Sequence, residues 1–242
     1  MTEAVGDVSE SPRSFARNLG DLYFEPGTTF DDLRRHPRFW TALLLFVALQ
    51  AALILVWVNH VDAVEFTRAQ IEASGRPLPP AEALERAAGM VKSMAWIGPL
   101  IALPLIFLAL GGVFLFLLRF LVGAELSYTH SLAVVSHVWL AVGLVSTPLT
   151  LLVLFLQGDW NVPPQEALQA NLGLLLARDE TPRWLFTLAG SLDLFSFWSM
   201  GLLSVGFARV AKRPLGTVVA VVVGLWAVYV LVRVGLAAVS GG

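Results

Sequence analysis

The chain contains no cysteine, which excludes disulfide bonds, thiolate catalysis and cysteine-ligated zinc. Charged side chains are also scarce: they make up 14% of the 242 residues, whereas soluble domains carry about 25%. The formal net charge is -2, so the chain lacks the basic excess that is typical of nucleic-acid-binding proteins. We therefore expect no nucleic-acid partner.

Hydrophobic residues account for 57% of the sequence, and they are concentrated in five long runs. A run of about 20 apolar residues can cross roughly 30 Å of hydrocarbon, because a helix rises about 1.5 Å per residue. The sequence therefore predicts an all-α integral membrane protein with five transmembrane helices. We place them at residues 39–58, 96–120, 132–156, 185–208 and 215–236.

Two segments of different character precede the first run. Residues 1–20 are mostly polar, and we expect a disordered tail there. Residues 21–38 form an amphipathic interfacial segment with a short helix that ends before Pro37. Phe30 and Leu33 share one face of this helix, so we expect them to anchor it among the lipid headgroups.

The two longer connections carry helical patterns of their own. In residues 59–95, apolar residues at helical spacing lie on both sides of a break at 75–80, which predicts a helical hairpin outside the membrane. In the later connection, two prolines precede a leucine-rich stretch. That pattern predicts a helix over residues 165–177, lying in the headgroup region.

The positions of the basic residues predict the orientation. Arginine and lysine cluster close to the ends of the runs at one side of the predicted bundle, where the positive-inside rule applies. These residues are Arg34, Arg35, Arg38, Arg119, Arg209, Lys212 and Arg213. We therefore expect a cytoplasmic N-terminus and a C-terminus on the outside.

Asp193 is the one acidic residue inside an apolar run, and an Asp at a helix centre costs about 2.5 to 3.5 kcal/mol on insertion scales. It needs a partner or a proton. If the last two spans form a hairpin, Arg233 stands at nearly the same height and is the expected partner. Three uses remain open: a structural ion pair, a proton or substrate site, or an Arg233 that extends to the membrane surface on its own.

Ser196, Met200 and Ser204 follow Asp193 at intervals of three and four residues, so all four lie on one side of the fourth helix. Small and weakly polar residues at this spacing predict a packing seam between helices. A lined pathway is the alternative.

The sequence offers no convincing catalytic or metal-binding pattern. His130 and His137 are separated by seven residues, which places them about 10 Å apart along a helix, too far to ligate one metal ion. A single intramembrane Asp cannot form the two-carboxylate pair of an aspartyl protease. We expect no metal, no cofactor and no enzymatic activity.

Three stretches of the chain resemble a known family. They are Pro26, Phe30 and Pro37 ahead of the first run, residues 119–131 (RFLVGAELSYTHS), and residues 198–208 (WSMGLLSVGFA). These resemble the Yip family, the Ypt/Rab-interacting membrane proteins, and especially its bacterial members. The resemblance implies five helices with a cytoplasmic N-terminus, here in a bacterial inner membrane.

In eukaryotes this family is associated with Rab GTPases and vesicle traffic. Eukaryotic relatives carry an Asp-Leu-Tyr-Gly-Pro motif close to the first span, whereas here Asp21, Leu22 and Tyr23 are followed by Phe24 and lie well upstream. Rab binding is therefore not carried over to this chain.

Two functions are compatible with the sequence. The first is a non-enzymatic membrane adaptor or organising factor, which acts through its N-terminal segment and outer loops on a membrane-protein partner or a second copy of itself. The second is a small transporter, or the membrane subunit of a transport complex, with a site at Asp193 and Arg233. A water-filled cavity that reaches Asp193 favours transport, and a dry interior favours the adaptor.

The predicted orientation can be tested with reporter fusions. A reporter fused after Lys212 should report the cytoplasm, and reporters fused at Gly75 or Gln165 should report the outside, because the basic residues remain on the cytoplasmic side. The opposite result at either outer loop would contradict the five-helix arrangement with a cytoplasmic N-terminus.

Overall fold

A computed structural model describes residues 11–177 and 180–240, which form eleven α-helices. In chain order these are α1 (Phe15–Phe24), α2 (Pro26–Arg35), α3 (Trp40–His60), α4 (Ala63–Ala73), α5 (Ala81–Met94), α6 (Leu103–Val122), α7 (Tyr128–Gln157), α8 (Pro164–Ala167), α9 (Arg183–Ser191), α10 (Leu194–Ala211) and α11 (Leu215–Ser240). A π-helix (Gly98–Ala102) joins α5 to α6, and a 3₁₀-helix (Leu172–Leu175) lies between α8 and α9.

Five helices are long and apolar enough to cross a membrane, which confirms the predicted fold class. They are α3, α6 with its continuation into α5, α7, α10 and α11. The connections between α6 and α7 and between α10 and α11 lie at the N-terminal end of the bundle, where Arg213 donates a hydrogen bond to the Gly123 carbonyl. We call the opposite end, which carries α4, α5, α8 and α9, the loop end.

The central helix of the bundle is α7, which packs against α3, α6 and α10. Residues 131–138 are all buried, so this part of α7 is enclosed on every side. A helix that is apolar around its whole circumference belongs in a core, and Val134, Val135 and Val138 are fully buried here. The remaining spans leave one side uncovered by protein, as expected for helices that face lipid.

The N-terminal segment differs from its prediction. The expected disordered tail is wrong from Phe15 onward, because α1 begins there with Ser14 as its N-cap; residues 1–10 lie outside the described part of the chain. Phe30 and Leu33 do not face headgroups, since both are fully buried against protein. Helix α2 is amphipathic, and its apolar face docks on α7 and α10.

Gly206 explains why α2 docks at this place. A Cβ atom at Gly206 would lie 2.8 Å from the Phe30 ring and 2.7 Å from a methyl group of Val134. The missing side chain therefore creates the space that the Phe30 ring fills. Small residues at helix contacts allow such close approach inside membrane proteins.

A buried carboxylate joins the N-terminal segment to the start of α3. Asp32 accepts hydrogen bonds from the Asn18 amide at 2.6 Å, the Arg38 guanidinium at 2.7 Å and the Arg13 backbone N–H at 3.2 Å. Burial by itself raises the pKa of this carboxyl, but these donors and the charge of Arg38 outweigh it and hold the pKa below the ordinary value. The segment is thus fixed by a charged hydrogen-bond network as well as by apolar contact.

The predicted loops are correct in one case and wrong in the other. Helices α4 and α5 pack together as the expected hairpin. The helix predicted over residues 165–177 does not form, because only α8 and the short 3₁₀-helix are helical there. The side chain of Asn171 accepts a hydrogen bond from the Gly173 N–H at 2.9 Å, which favours a turn and competes with a continuous helix.

The fourth predicted span is interrupted. Helix α9 ends at Ser191 and α10 begins at Leu194, so residues 185–208 form two helices instead of one. The second predicted span also contains an irregularity, since the π-helix includes Pro99 and a new helical segment begins beside Pro104. Proline lacks a backbone N–H and disturbs the regular hydrogen-bond ladder at such positions.

We predict that Gly206→Ala loosens the N-terminal segment, because the new methyl group collides with the Phe30 ring. Overpacking of this kind costs about 1 to 3 kcal/mol. Trypsin should then cleave near Arg34 faster than in the native protein. Gly201→Ala is the matched control, since a Cβ there meets nothing within 4 Å. Equal cleavage rates in the two variants would contradict the docking of Phe30.

We also predict that Asp32→Asn destabilises the protein by about 2 kcal/mol, because charged hydrogen bonds to Arg38 and the Arg13 N–H are weakened. Since the pKa of Asp32 is lower in the folded state, this stabilisation is present above its ordinary pKa of 3.8 and is lost as the pH falls through the folded-state pKa. Thermal unfolding in detergent measures both effects. Asp31→Asn, which removes a more exposed carboxylate, should change the unfolding temperature far less.

Candidate binding site at the helix break

Asp193 occupies the break between α9 and α10. It is the N-cap of α10, with extended backbone angles of -119° and 152°, and its carboxylate accepts a hydrogen bond from the Ser196 N–H at 2.9 Å. Aspartate is among the best N-cap residues, and its negative charge suits the positive end of the helix dipole. An acidic residue inside an apolar run is therefore explained first by local structure: it begins a helix.

The exposed backbone groups at the break find partners in the segment between α8 and the 3₁₀-helix. The Leu172 N–H donates to the Leu192 carbonyl at 3.3 Å, and the Leu194 N–H donates to the Ala170 carbonyl at 3.1 Å. Asn171 and Asp193 thus form a short antiparallel bridge. Irregular backbone is tolerated at membrane depth only where protein or a cavity satisfies it, and here both are present.

A cavity of about 350 Å³ lies beside this bridge, between α3, α7, α11 and the α8 segment. Its lining is largely polar, which is unusual among apolar helices. The polar lining residues are Gln50, Ser146, Thr147, Thr150, Gln165, Asn171, Asp193 and Arg233. Its volume falls at the small end of the range for ligand pockets.

The cavity extends from the loop end toward the middle of the bundle. Gln50 is the eleventh of the 21 residues of α3, so it marks the midpoint of that span. Its side-chain amide donates a hydrogen bond to the Thr147 hydroxyl on α7 at 3.0 Å. Pro148 follows inside α7 and leaves the Leu144 carbonyl without its usual helical donor. The cavity thus lies beside the proline of α7 and the break between α9 and α10.

The two charged residues predicted as a pair both line this cavity. This shared position agrees with the prediction, from the helical rise, that Asp193 and Arg233 lie at nearly the same height in the bundle. The expected direct bridge does not form, since no ion pair joins them in the described part of the chain. Arg233 is exposed, and its guanidinium lies 5.7 Å from the centre of the Tyr229 ring.

The other predicted site residues are separated from the cavity. Met200 and Ser204 are buried within the packed part of α10, and Ser196 is half-buried at its first turn. The packing seam stays a prediction, and it did not include Gly206, where a Cβ atom would collide with Val134 and the Phe30 ring.

Two histidines of α7 contact backbone carbonyls. His130 contacts the Arg34 carbonyl at 3.0 Å, and His137 contacts the Ala133 carbonyl at 2.8 Å. Within residues 11–177 and 180–240, no group of three potential metal ligands comes together. His137 also packs against the Phe15 ring, which ties α1 to α7.

The sequence analysis missed Gln50, Ser146 and Thr147 as lining residues. A signal was available, because Gln50 is a lone amide in the first span, and Ser146, Thr147 and Thr150 form a polar group in the third. What the sequence could not supply was the register of α3 against α7, which brings these side chains to one height.

Comparisons with known proteins identify the family of this chain. A search of curated proteins and a search of solved structures each gave no match. The family model described as the Yip1 domain matches residues 20–236, which include α2 to α10, the second half of α1 and most of α11. This match covers most of the 242-residue chain, and the protein therefore belongs to the Yip1 domain family of membrane proteins.

Proposed function

We propose that this Yip1-domain protein binds a small polar ligand in the cavity at the helix break and has a transporter-type, non-enzymatic role. The observation that carries the proposal is the position of the polar lining, which reaches Gln50 at the midpoint of α3. Polar side chains inside a membrane protein are costly unless they are paired or serve a ligand or pathway.

The irregular helices around the cavity support this proposal. Secondary transporters commonly bind their substrates near the middle of the bilayer, beside discontinuous helices. Here the chain is broken between α9 and α10, and α7 contains Pro148. Such interruptions allow one part of a helix to move relative to the other, and they expose backbone groups to a ligand.

An adaptor role remains a prediction with less structural support. It was expected to act through an N-terminal helix at the membrane surface and through the outer loops, but α2 is packed against α7 and α10. The hairpin of α4 and α5 still offers exposed apolar side chains for a membrane-protein partner or a second copy, including Met90 and Met94. No described contact favours one of these partners.

The natural absence of cysteine gives a direct test of water access to the cavity. We predict that Ser146→Cys, which replaces a half-buried lining residue, reacts with a charged, membrane-impermeant methanethiosulfonate reagent. The cysteine thiolate attacks the reagent, forms a mixed disulfide and releases methanesulfinate, and this thiolate forms only where water or polar groups stabilise it. Labelling of this single thiol is measured by mass spectrometry on protein in lipid nanodiscs, where both faces are accessible.

Leu144→Cys is the matched control. Leu144 precedes Ser146 by two residues on α7, so the two side chains lie at nearly the same height in the bundle. Leu144 is exposed on the outside of the bundle and does not line the cavity. We expect it to remain unlabelled in the bilayer. Equal reaction of both variants, or of neither, would overturn the proposal of a water-accessible binding cavity.

A further inference from the structure

Asp193 and Arg233 present opposite charges to one cavity without neutralising each other through an ion pair. The other polar lining residues are uncharged amides and hydroxyls. The described lining therefore contains one acidic and one basic group. A simple anion would satisfy Arg233 and leave Asp193 without a counter-charge, and a simple cation would do the reverse.

Each of the two groups retains capacity for a ligand. A carboxylate has about four acceptor positions, and Asp193 uses one of them for the Ser196 N–H. That hydrogen bond also fixes the direction of the carboxylate. The Arg233 guanidinium carries five N–H donors in a plane, a shape that matches a phosphate or a carboxylate.

The position of Arg233 indicates how a ligand would enter. Arg233 and Tyr229 are exposed on α11, near the loop end of the bundle. Arginine and tyrosine at such positions are typical of the boundary between hydrocarbon and headgroups. We therefore expect the rim of the cavity that Arg233 forms to lie at the level of phospholipid headgroups, while Asp193 is half-buried at the helix break.

We propose that the cavity binds a zwitterionic group, with its ammonium at Asp193 and its phosphate or carboxylate at Arg233. This inference rests on the proposed function and specifies its ligand. The shared chemistry has two sources: the headgroup of a zwitterionic phospholipid, and a free amino acid or phosphoethanolamine from water. A volume of about 350 Å³ holds a group of this size but not a whole lipid, whose chains would remain in the bilayer.

Protection of Ser146→Cys from the thiol reagent measures the binding. In nanodiscs of phosphatidylglycerol, soluble phosphoethanolamine or alanine at about ten times its Kd should slow labelling about tenfold. Glycerol 3-phosphate, which lacks the ammonium, should have little effect. Nanodiscs of phosphatidylethanolamine should protect without any soluble ligand if the headgroup is the source.

Substitutions that remove one charge from the Ser146→Cys protein test the two proposed contacts, at Asp193 and at Arg233. Asp193→Asn keeps an efficient N-cap, so α10 can still form, but it removes the partner of the ammonium. Phosphoethanolamine and glycerol 3-phosphate should then protect equally, a change in selectivity that a purely structural effect would not produce. Arg233→Gln should abolish protection by phosphoethanolamine, alanine and phosphatidylethanolamine. Arg209→Gln, at the other end of α10, is the matched control, and this variant should retain the protection.

The outcomes separate this inference from the proposal on which it rests. If Ser146→Cys does not react, the water-accessible cavity itself is contradicted. If it reacts but no zwitterion protects it, or if Asp193→Asn leaves the selectivity unchanged, the cavity stands and the zwitterionic ligand is wrong. Protection by soluble zwitterions alone assigns a water-borne ligand, and protection by phosphatidylethanolamine alone assigns a lipid.

Discussion

Inside hydrocarbon every backbone N–H and C=O must find a partner within the protein, and this constraint governs the loop end of the bundle. A continuous fourth helix would satisfy it automatically. Because the chain instead breaks at Asp193, other groups must bond to the free backbone atoms. The Asp193 side chain accepts from a backbone N–H at the start of α10, and the backbone around Asn171 pairs with the backbone at the break. The segment that supplies them also forms one wall of the cavity.

The same constraint explains why the polar cavity and the helix break occur together. Polar side chains beside the break lower the cost of non-helical backbone, and the break in turn makes room for them. Gln50 and Thr147 illustrate this balance, because the Gln50 amide donates a hydrogen bond to the Thr147 hydroxyl across two apolar helices. Asp193 and Arg233 add two charged side chains to the same lining.

The spans could be predicted from the sequence because membrane thickness sets a minimum length for each apolar run. The helix break inside the fourth span was harder to predict. Leu192 and Leu194 continue the apolar run across the break, so hydropathy hides it, and only the N-cap preference of Asp193 indicates a helix start.

The N-terminal segment shows a second limit of sequence patterns. An amphipathic pattern shows that Phe30 and Leu33 need an apolar environment, but it does not distinguish lipid from a protein groove. That choice depends on Gly206, which is distant in sequence and supplies the space. The cavity had a comparable limit: the heights of Asp193 and Arg233 could be predicted from the sequence, whereas only packing determines that both side chains line one cavity without forming an ion pair.

The docking of α2 on α10 has a consequence for how the chain is assembled. Asp31 pairs with Arg209, which follows 178 residues later in the sequence. At ordinary translation rates of about 5 to 20 residues per second, the first two helices exist for on the order of ten seconds or more before their groove is synthesised. During that interval the Phe30 face has no protein partner, so the nascent chain must shelter it in the membrane interface or with an assembly factor. The N-terminal helices can therefore complete their packing only after α10 has been synthesised.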